Sequence, residues 1–390
     1  MSSPEQAPLI QPQPRAQHPQ PVVVIGSGVV GLSTAWLLQS QGHRVMLVDP
    51  AVARPQPPEA GSSAALGLLM ARIYRRSSGR GWRLRQRSLE LWRSWRQQLE
   101  AAGQRLPWRP GLLQLAPDAA AFAAQTRLAA ERARRGLTLQ PLPAEALAAL
   151  APSLPSGAVG GLFSPEDGQL DPLPAMAALR ADALERGLEL VADAATAIER
   201  QAGAERWRIA LAGGGWLEAP WLVMSAGLAC PELLDPLGHR HPQVPVLGQA
   251  LELQLPAGTP DPCQWPGSIS WGGVNLVPRP GGRLWLGATL EPPAGEPFAA
   301  QASAAELANL RDLGGTAPDW LRQATVLRHW QGLRARPQGA PAPLLEQLEP
   351  GLLLASGHYR NGVLLAPATA EWVAERIAAG SSLSGISGSP

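Results

Sequence analysis

Near the start of the chain, Gly26-Ser27-Gly28-Val29-Val30-Gly31 has the residue types and spacing of a phosphate cradle, and Asp49 follows, roughly twenty residues on, where such cradles place a carboxylate. Each glycine has its own task in a turn of this kind. Gly26 permits the tight bend, Gly28 lets the backbone approach a pyrophosphate, and Gly31 allows a helix to pack closely on a strand. The N-terminus of the helix that follows supplies oriented N–H donors for an anion, and Val29 and Val30 of the turn are expected to contact the cofactor with the glycines. Asp49, with Pro50 after it, can accept hydrogen bonds from ribose hydroxyls, and an Asp rather than an Arg here argues against a 2′-phosphate. The motif alone is weak and could be no more than a tight structural turn. Bracketed by two strands and a helix, it reads as a dinucleotide site, with FAD and NAD both open.

The elements that must position these residues are legible from periodicity. Val22 to Ile25 and Val45 to Val48 are continuous apolar runs, as expected of parallel strands buried on both faces, and Leu32 to Gln41 reads as the helix between them. Trp82 to Leu99, Ala119 to Arg135 and Leu173 to Arg186 read as further helices, the first amphipathic with Leu89, Trp92, Trp95 and Leu99 on one side. A Pro-rich connection from Gln140 to Pro155 reads as a domain crossing. Trp221 to Met224 and Leu352 to Ala355 are short apolar strands followed by small residues, so the strand-then-turn theme returns late and the nucleotide unit is expected to be discontinuous. Residues 1–20 and the tail from Gly380 to Pro390 are low in complexity and are expected to be flexible.

Composition removes whole classes of function. The 390 residues carry a formal net charge of +2, too little for a surface that neutralises several nucleic-acid phosphates. All 33 basic side chains are arginine, so Schiff-base chemistry at a lysine is excluded. Cys230 and Cys263 are far apart and belong to no metal-ligand run. His239 and His241 have no third ligand at suitable spacing and read as surface histidines; no metal is expected. Adjacent Glu166 and Asp167 read as capping or solvent-exposed groups. No apolar stretch has the length of a membrane-spanning helix and no leader pattern is present, which points to the cytosol.

Three further segments decide between the cofactors. Gly61-Ser62-Ser63-Ala64-Ala65-Leu66-Gly67-Leu68-Leu69, Trp330-Gln331-Gly332-Leu333-Arg334 and Gly357-His358-Tyr359-Arg360-Asn361-Gly362-Val363-Leu364-Leu365-Ala366-Pro367-Ala368-Thr369 resemble the D-amino-acid oxidase family of flavoproteins, and within it the glycine oxidases. The likeness runs from about Val22 to Ile377 and includes Pro165 to Asp171, Leu222 to Gly227, Val277-Pro278-Arg279 and Gly287-Ala288-Thr289. It implies FAD and an α/β fold: a Rossmann-like FAD-binding domain from residues 21–88, 152–230 and 325–380, with an antiparallel-sheet substrate domain from 89–151 and 231–324.

The resemblance also implies roles for residues. The small-residue loop with Gly61, Ser62, Leu66, Gly67 and Leu68 lies along the isoalloxazine, where a planar ring needs close backbone. His358, Tyr359, Arg360, Asn361, Gly362, Val363 and Leu364 close over its pyrimidine side, where donors stabilise charge near N1 on reduction. Ala195 is carried over as a further FAD contact. Arg334 matches the arginine that grips a substrate carboxylate with a planar fork of donors, Arg360 being the second candidate; Arg336 is close by, but the Trp330 to Leu333 lead-in fixes the register on Arg334.

The implied reaction is oxidation of a C–N bond in a small amino acid or amine, with oxygen or another acceptor taking the electrons; a homo-oligomer is compatible with it. Three departures bear on the substrate. Asn275 stands where glycine oxidases carry a carboxylate-binding tyrosine, Ala335 to Pro341 forms an altered and shortened loop, and the cationic lysine of sarcosine oxidases has no counterpart, leaving Arg or His358. A dehydrogenase passing electrons to a quinone, or a scaffold that binds FAD without turnover, are the alternatives; oxygen consumption against dye reduction, and turnover of any amine, separate them.

Overall fold

A computed structural model describes residues 15–54, 60–201, 206–293 and 301–386. Its centre is the pair of apolar runs found in the sequence, which form the parallel strands Pro21–Ile25 and Arg44–Val48 with Val22 opposite Val45. Their side chains alternate between two covered faces: Val22, Val24, Val45 and Leu47 enter one core, Val23, Ile25 and Val48 another. Burial on both faces is why these runs are continuously apolar instead of alternating. The full sheet has six strands in the order Leu344–Glu349, Leu352–Ser356, Trp221–Met224, Pro21–Ile25, Arg44–Val48, Glu189–Val191. It is parallel throughout except for the outermost pair, Leu344–Glu349 against Leu352–Ser356.

Four helices supply one core: Val29–Ser40, Gly79–Ala101, Pro172–Glu185 and Gly362–Ile386, through Trp36, Trp92, Trp95, Leu179 and Val373 among others. A three-stranded antiparallel sheet, Ala195–Arg200, Trp207–Leu211 and Trp216–Ala219, covers the opposite face with Ile198, Trp207 and Ile209. The last long helix contains Pro367, which cannot donate to the carbonyl four residues back. That carbonyl, on Val363, accepts instead from the indole of Trp92 at 2.9 Å, and the next amide, Ala368 N–H, donates to Ser88 Oγ at 3.2 Å. Gly79–Ala101 is thus the partner that makes a proline tolerable inside Gly362–Ile386.

The second sheet has nine strands. Its path is Thr325–Pro337, Gln243–Gln254, Arg283–Gly287, Val274–Arg279, Ser268–Trp271, Trp108–Ala116, Gly160–Leu170 and Leu68–Leu69, with Gln140–Pro143 added beside Gly160–Leu170. It is antiparallel apart from Ser268–Trp271 against Trp108–Ala116. One face buries Leu276, Leu284 and Leu286 with the helices Ala304–Asp312 and Asp319–Gln323, through Leu310 and Leu321. The other face carries Ala250, Val277 and Trp285 and packs against Leu66.

Several sequence expectations are corrected. Gly160–Leu170 and Thr325–Pro337, assigned above to the nucleotide-binding segments, are strands of the nine-stranded sheet, and the expected break at 88/89 falls inside the helix Gly79–Ala101. The connection Gln140 to Pro155 contains the strand Gln140–Pro143 and the helix Ala144–Ala148; Pro141 and Pro143 are accommodated because this strand has a single neighbour, and an edge strand tolerates a missing donor. At the N-terminus, Ala16 N–H donates to Gln41 O at 2.8 Å and Gln20 N–H to His43 Nδ1 at 3.0 Å, so residues 16–20 are tied to the first helix and its turn. At the other end the final helix runs to Ile386, with Gly380 set against the Trp221 ring. The remainder of both expected flexible ends, 1–14 and 387–390, lies outside the described residues.

Candidate functional site

The glycine-rich turn is tied down from three directions. Gly26 adopts φ +105°, a conformation that glycine alone reaches without strain, and a side chain there would meet Ser225 O at 2.6 Å. A Cβ on Gly31 would land on the carbonyl oxygen of Gly26, so the helix approaches the turn as closely as a backbone permits. Gly28 is the N-cap of Val29–Ser40 and gives no side-chain cap. Val29 N–H donates to Ser62 Oγ at 3.0 Å, a cap arriving from the small-residue loop. Helices begin with amides that have no partner in their own helix, and the neighbouring amides of Val30 and Gly31 start this one.

Asp49 ends its strand at the same place. One carboxylate oxygen accepts from Ser27 N–H and the other from Ala51 N–H, each at 2.7 Å, and Asp49 caps the short turn of helix at Pro50–Ala53. Each oxygen keeps a lone pair for a ribose hydroxyl. Asp49→Ala is expected to weaken FAD binding by about 1.5–3 kcal/mol, roughly 10- to 150-fold, measured by fluorescence titration of the apoprotein. Unchanged affinity would remove Asp49 from the ribose. Ala195 starts the strand Ala195–Arg200, just beyond Val191, whose carbonyl accepts Asp49 N–H at 3.1 Å.

The loop Ala60 to Leu69 joins this turn to the nine-stranded sheet. Ala60 forms a parallel bridge with Leu333. Gly61 faces the Leu333 carbonyl, where a Cβ would sit 2.8 Å away, and Gly332 faces Ala64 with no room for a Cβ. Trp330 Nε1 donates to Ala64 O at 3.1 Å. At the far end Leu66 O accepts from Gln169 Nε2 and Gly67 O from Leu170 N–H, both at 2.9 Å, and Leu68 pairs with Gln169. The loop's backbone is therefore clamped between Trp330–Leu333 and Gln169–Leu170 while its Ser62 caps the helix Val29–Ser40.

The segment Gly357 to Leu364 brings a second helix N-terminus to the same spot. Gly362 opens the last helix, and a Cβ on it would be 3.8 Å from Val29 Cγ1, so the two helix starts meet. Tyr359 holds φ +54°, unusual for a residue with a Cβ; its N–H donates to Ala335 O at 3.2 Å and its ring lies under Arg336. Asn361 Oδ1 accepts from Arg85 Nη1 at 2.9 Å, and Val363 and Leu364 are buried. His358 is buried with Nε2 2.8 Å from Thr369 Oγ1. Burial, and then the charge of Arg80, push its pKa down to about 3.

His358 is therefore neutral at working pH and does not supply the cation expected from it or from Arg; the arginines remain. Its linkage has a definite sign. The unfolded chain binds this proton as pH falls through its ordinary value of 6.5, whereas the folded protein binds it only near 3, so the group costs stability across that window and nothing above it. Denaturation midpoints measured from pH 7 to pH 4 should lose, in a His358→Gln variant, up to one proton of linked uptake. An unchanged slope would show that His358 titrates normally.

Arg334 lies on Thr325–Pro337 with its guanidinium passing over Gly248, where a Cβ would fall inside it. Nη1 donates to Leu247 O at 3.0 Å and to Thr289 O at 3.1 Å. Burial first, then the like charge of Arg360, lowers its pKa from the ordinary arginine value, though a guanidinium keeps its proton. Neither Arg334 nor the exposed Arg360 forms an ion pair with a carboxylate among the described residues. Asn275 pairs with Gly287 and Ser270 in the same sheet. The altered loop after Arg334 is strand as far as Pro337, and Gln338 N–H donates to Pro242 O.

The structure thus gathers Gly26, Gly28, Val29, Val30, Gly31, Asp49, Ser62 and Gly362 around two helix starts, and sets Arg334 on the strand against which the Gly61 to Leu68 loop docks. Two expectations are refined. Asp167 is fully buried and accepts from the amides of Ala71, Arg72 and Ile73 at 2.8–2.9 Å, while Glu166 pairs with Arg72 and Arg93; the strand Gly160–Leu170 points them to opposite surroundings. His239 and His241 are half-buried and sit 2.9 and 3.9 Å from Glu349 and Glu346, and no metal-binding group occurs among the described residues. Cys230 and Cys263 are free. Sequence reasoning missed the Ser62 cap, whose only signal was a hydroxyl in a small-residue loop, and the polar set Gln249, Thr289 and Glu291 behind Arg334.

Residues 21–376 match the model of the DAO family, FAD dependent oxidoreductase, and the chain belongs to that family. It is an FAD-dependent oxidoreductase, and the two helix starts, the Asp49 carboxylate and the close glycine contacts fit the dinucleotide. Among similar proteins, the bifunctional protein ThiO/ThiG of a Synechocystis species is 30% identical over 363 residues, covering 91% of this chain but 51% of that protein, so the chain spans about half its length. A glycine oxidase of Pseudomonas aeruginosa is 29% identical, covering 91% of this chain and 93% of its own. The crystal structure of glycine oxidase from Geobacillus kaustophilus superposes with a TM-score of 0.79 at 26% identity, over 92% of this chain and 95% of that one. No helix among the described residues is long and apolar enough to cross a membrane.

Proposed function

We propose that this chain oxidises the C–N bond of a small amino acid, as the glycine oxidases' names indicate for them, with oxygen as the final acceptor. One observation carries the reading: Arg334, held by two carbonyls and without an acidic partner among the described residues, projects from the strand that also holds the flavin loop. A half-buried guanidinium with free donor edges suits a bidentate carboxylate ligand. In this reading the six-stranded sheet with its helices binds FAD and the nine-stranded sheet carries the substrate face, Asn275 lying on it in place of an aromatic hydroxyl.

FAD, when bound, supplies the two-electron acceptor. The chain's part is to orient the amine and exclude water. Arg334 would fix the carboxylate, Gly61 to Leu68 would hold the flavin ring through their backbone, and the Gly357 to Leu364 segment, with the neutral His358 on Thr369, would hold it from a second element. The amine gives up two electrons and two protons, and the resulting imine takes up water to release ammonia and a carbonyl compound. Oxygen accepts the electrons as hydrogen peroxide. No side-chain base is required if the amine arrives neutral. The test is anaerobic bleaching of the flavin across a panel of amino acids and carboxylate-free amines, followed by oxygen uptake. Bleaching by amino acids with matching oxygen consumption supports the reading; bleaching without oxygen uptake but with dye reduction would assign a dehydrogenase, and none at all would reject amine oxidation.

A further inference from the structure

Behind Arg334 the sheet contains a polar cluster that the flavin and substrate contacts do not use. Past Gly287 the chain runs on beside the strand Gln243–Gln254: Thr289 N–H donates to Gln249 O at 3.1 Å, and Leu247 and Glu291 exchange both backbone hydrogen bonds at 2.9 and 3.0 Å. The two carbonyls that hold Arg334 Nη1, those of Leu247 and Thr289, are therefore parts of one short bridge. The Glu291 carboxylate folds back onto that bridge. Oε1 accepts from Gln249 Nε2 at 2.9 Å and from the Thr289 hydroxyl, and Oε2 accepts from Ser303 N–H at 2.6 Å. Thr289 Oγ1 in turn accepts from Gln249 N–H at 2.7 Å, and Gln249 Oε1 is 2.9 Å from His329 Nε2. Gln249, Thr289 and Glu291 are 2%, 6% and 6% exposed.

Burying a carboxylate is costly unless hydrogen bonds and charge compensate it. Here all its direct partners are neutral, no ion pair to it forms among the described residues, and Arg334 is a cation whose charge it supports. The arrangement keeps a counter-charge near Arg334 without occupying the guanidinium. Had Glu291 paired with Arg334 directly, a ligand carboxylate would have to displace it. Placed one layer back, it fixes the carbonyl cradle and leaves the outer edge of the fork free.

We propose that Glu291 is the positioning residue of the carboxylate clamp, acting through Thr289, Gln249 and the Leu247 bridge to aim Arg334. The proposal rests on the reading of Arg334 as the carboxylate anchor. The competing account is structural: Glu291 merely ties the chain at Ser303 to the sheet.

Acetate, a minimal carboxylate, serves as probe, with its binding to the FAD-loaded protein followed by the flavin absorbance shift. Wild type should bind acetate, and Arg334→Ala should abolish most of the affinity. Glu291→Gln keeps the size but has one acceptor oxygen where the site has two, and should weaken acetate roughly tenfold, as coupled neighbours do. Thr289→Val, which removes only the hydroxyl, should weaken it less, with flavin content retained in both. Added to Arg334→Ala, Glu291→Gln should bring no further loss, because its effect runs through the guanidinium. Wild-type acetate affinity in both Glu291→Gln and Thr289→Val would overturn the proposal while leaving Arg334 as anchor. An equal loss from Glu291→Gln with and without Arg334 would also overturn it, in favour of the structural account. Acetate binding indifferent to Arg334→Ala would overturn the anchor itself, and the proposal with it.

Discussion

Arg334→Ala is expected to lower kcat/KM for an amino-acid substrate by roughly 30- to 3,000-fold, because it strands the substrate carboxylate in a partly desolvated pocket at a cost of about 2–5 kcal/mol. The geometry makes this a clean test. Arg334 Nη1 is held at 3.0 and 3.1 Å by carbonyls of the nine-stranded sheet, and one of those carbonyls, Leu247 O, also accepts Glu291 N–H. Removing the guanidinium therefore leaves that carbonyl satisfied, and Gly28, Asp49 and Ser62, the residues expected to contact the flavin, belong to other elements. FAD content should stay near normal. A carboxylate-free amine should be nearly indifferent to the change. Equal losses for both substrates would indicate damage to the fold or flavin site, and no loss for the amino acid would move the carboxylate elsewhere, with Arg360 the next candidate.

The legibility of the site follows from how local its determinants are. Val22 to Ile25, the Gly26 to Gly31 turn and Asp49 were readable because a strand buried on both faces and a turn against a helix start leave their marks within a few dozen residues. Trp221–Met224 was found residue for residue for the same reason. The nine-stranded sheet was harder. Gly160–Leu170 contains two adjacent glycines, a proline and two carboxylates, a composition that reads as loop until its neighbours Trp108–Ala116, Gln140–Pro143 and Leu68–Leu69 are known. Asp167 looked like a solvated turn residue because the three amides that bury it come from Ala71 to Ile73, almost a hundred residues earlier. Gln249, Thr289 and Glu291 are unremarkable in sequence; only the register of Gln243–Gln254 against Thr325–Pro337, with Val246 opposite Arg334, places them behind the arginine.

Gly31→Ala should cost the protein its FAD. The added methyl would occupy the position of Gly26 O and lie 2.5 Å from Ser225 Oγ, and neither neighbour has room to yield. Gly26 is held in a left-handed turn by its own N–H to Val48 O at 2.9 Å, and Ser225 Oγ donates to Ile25 O at 2.9 Å. The strain is therefore relieved by displacing the helix Val29–Ser40 from the strand, which would carry the amides of Val30 and Gly31 away from the expected pyrophosphate position and part Val29 from Ser62. Overpacking of this kind costs about 1–3 kcal/mol, so if the strain falls on the bound state affinity should drop roughly 5- to 150-fold, and further as anion contacts are lost. The readout is the ratio of flavin to protein absorbance after purification, followed by titration of FAD into the apoprotein. Gly81→Ala is the control, since its Cβ would meet nothing closer than Tyr74 Oη at 3.7 Å within a helix; it should retain flavin. A Gly31→Ala protein that purifies with wild-type flavin content would show that the helix start at Gly28 is not where the dinucleotide phosphates are held.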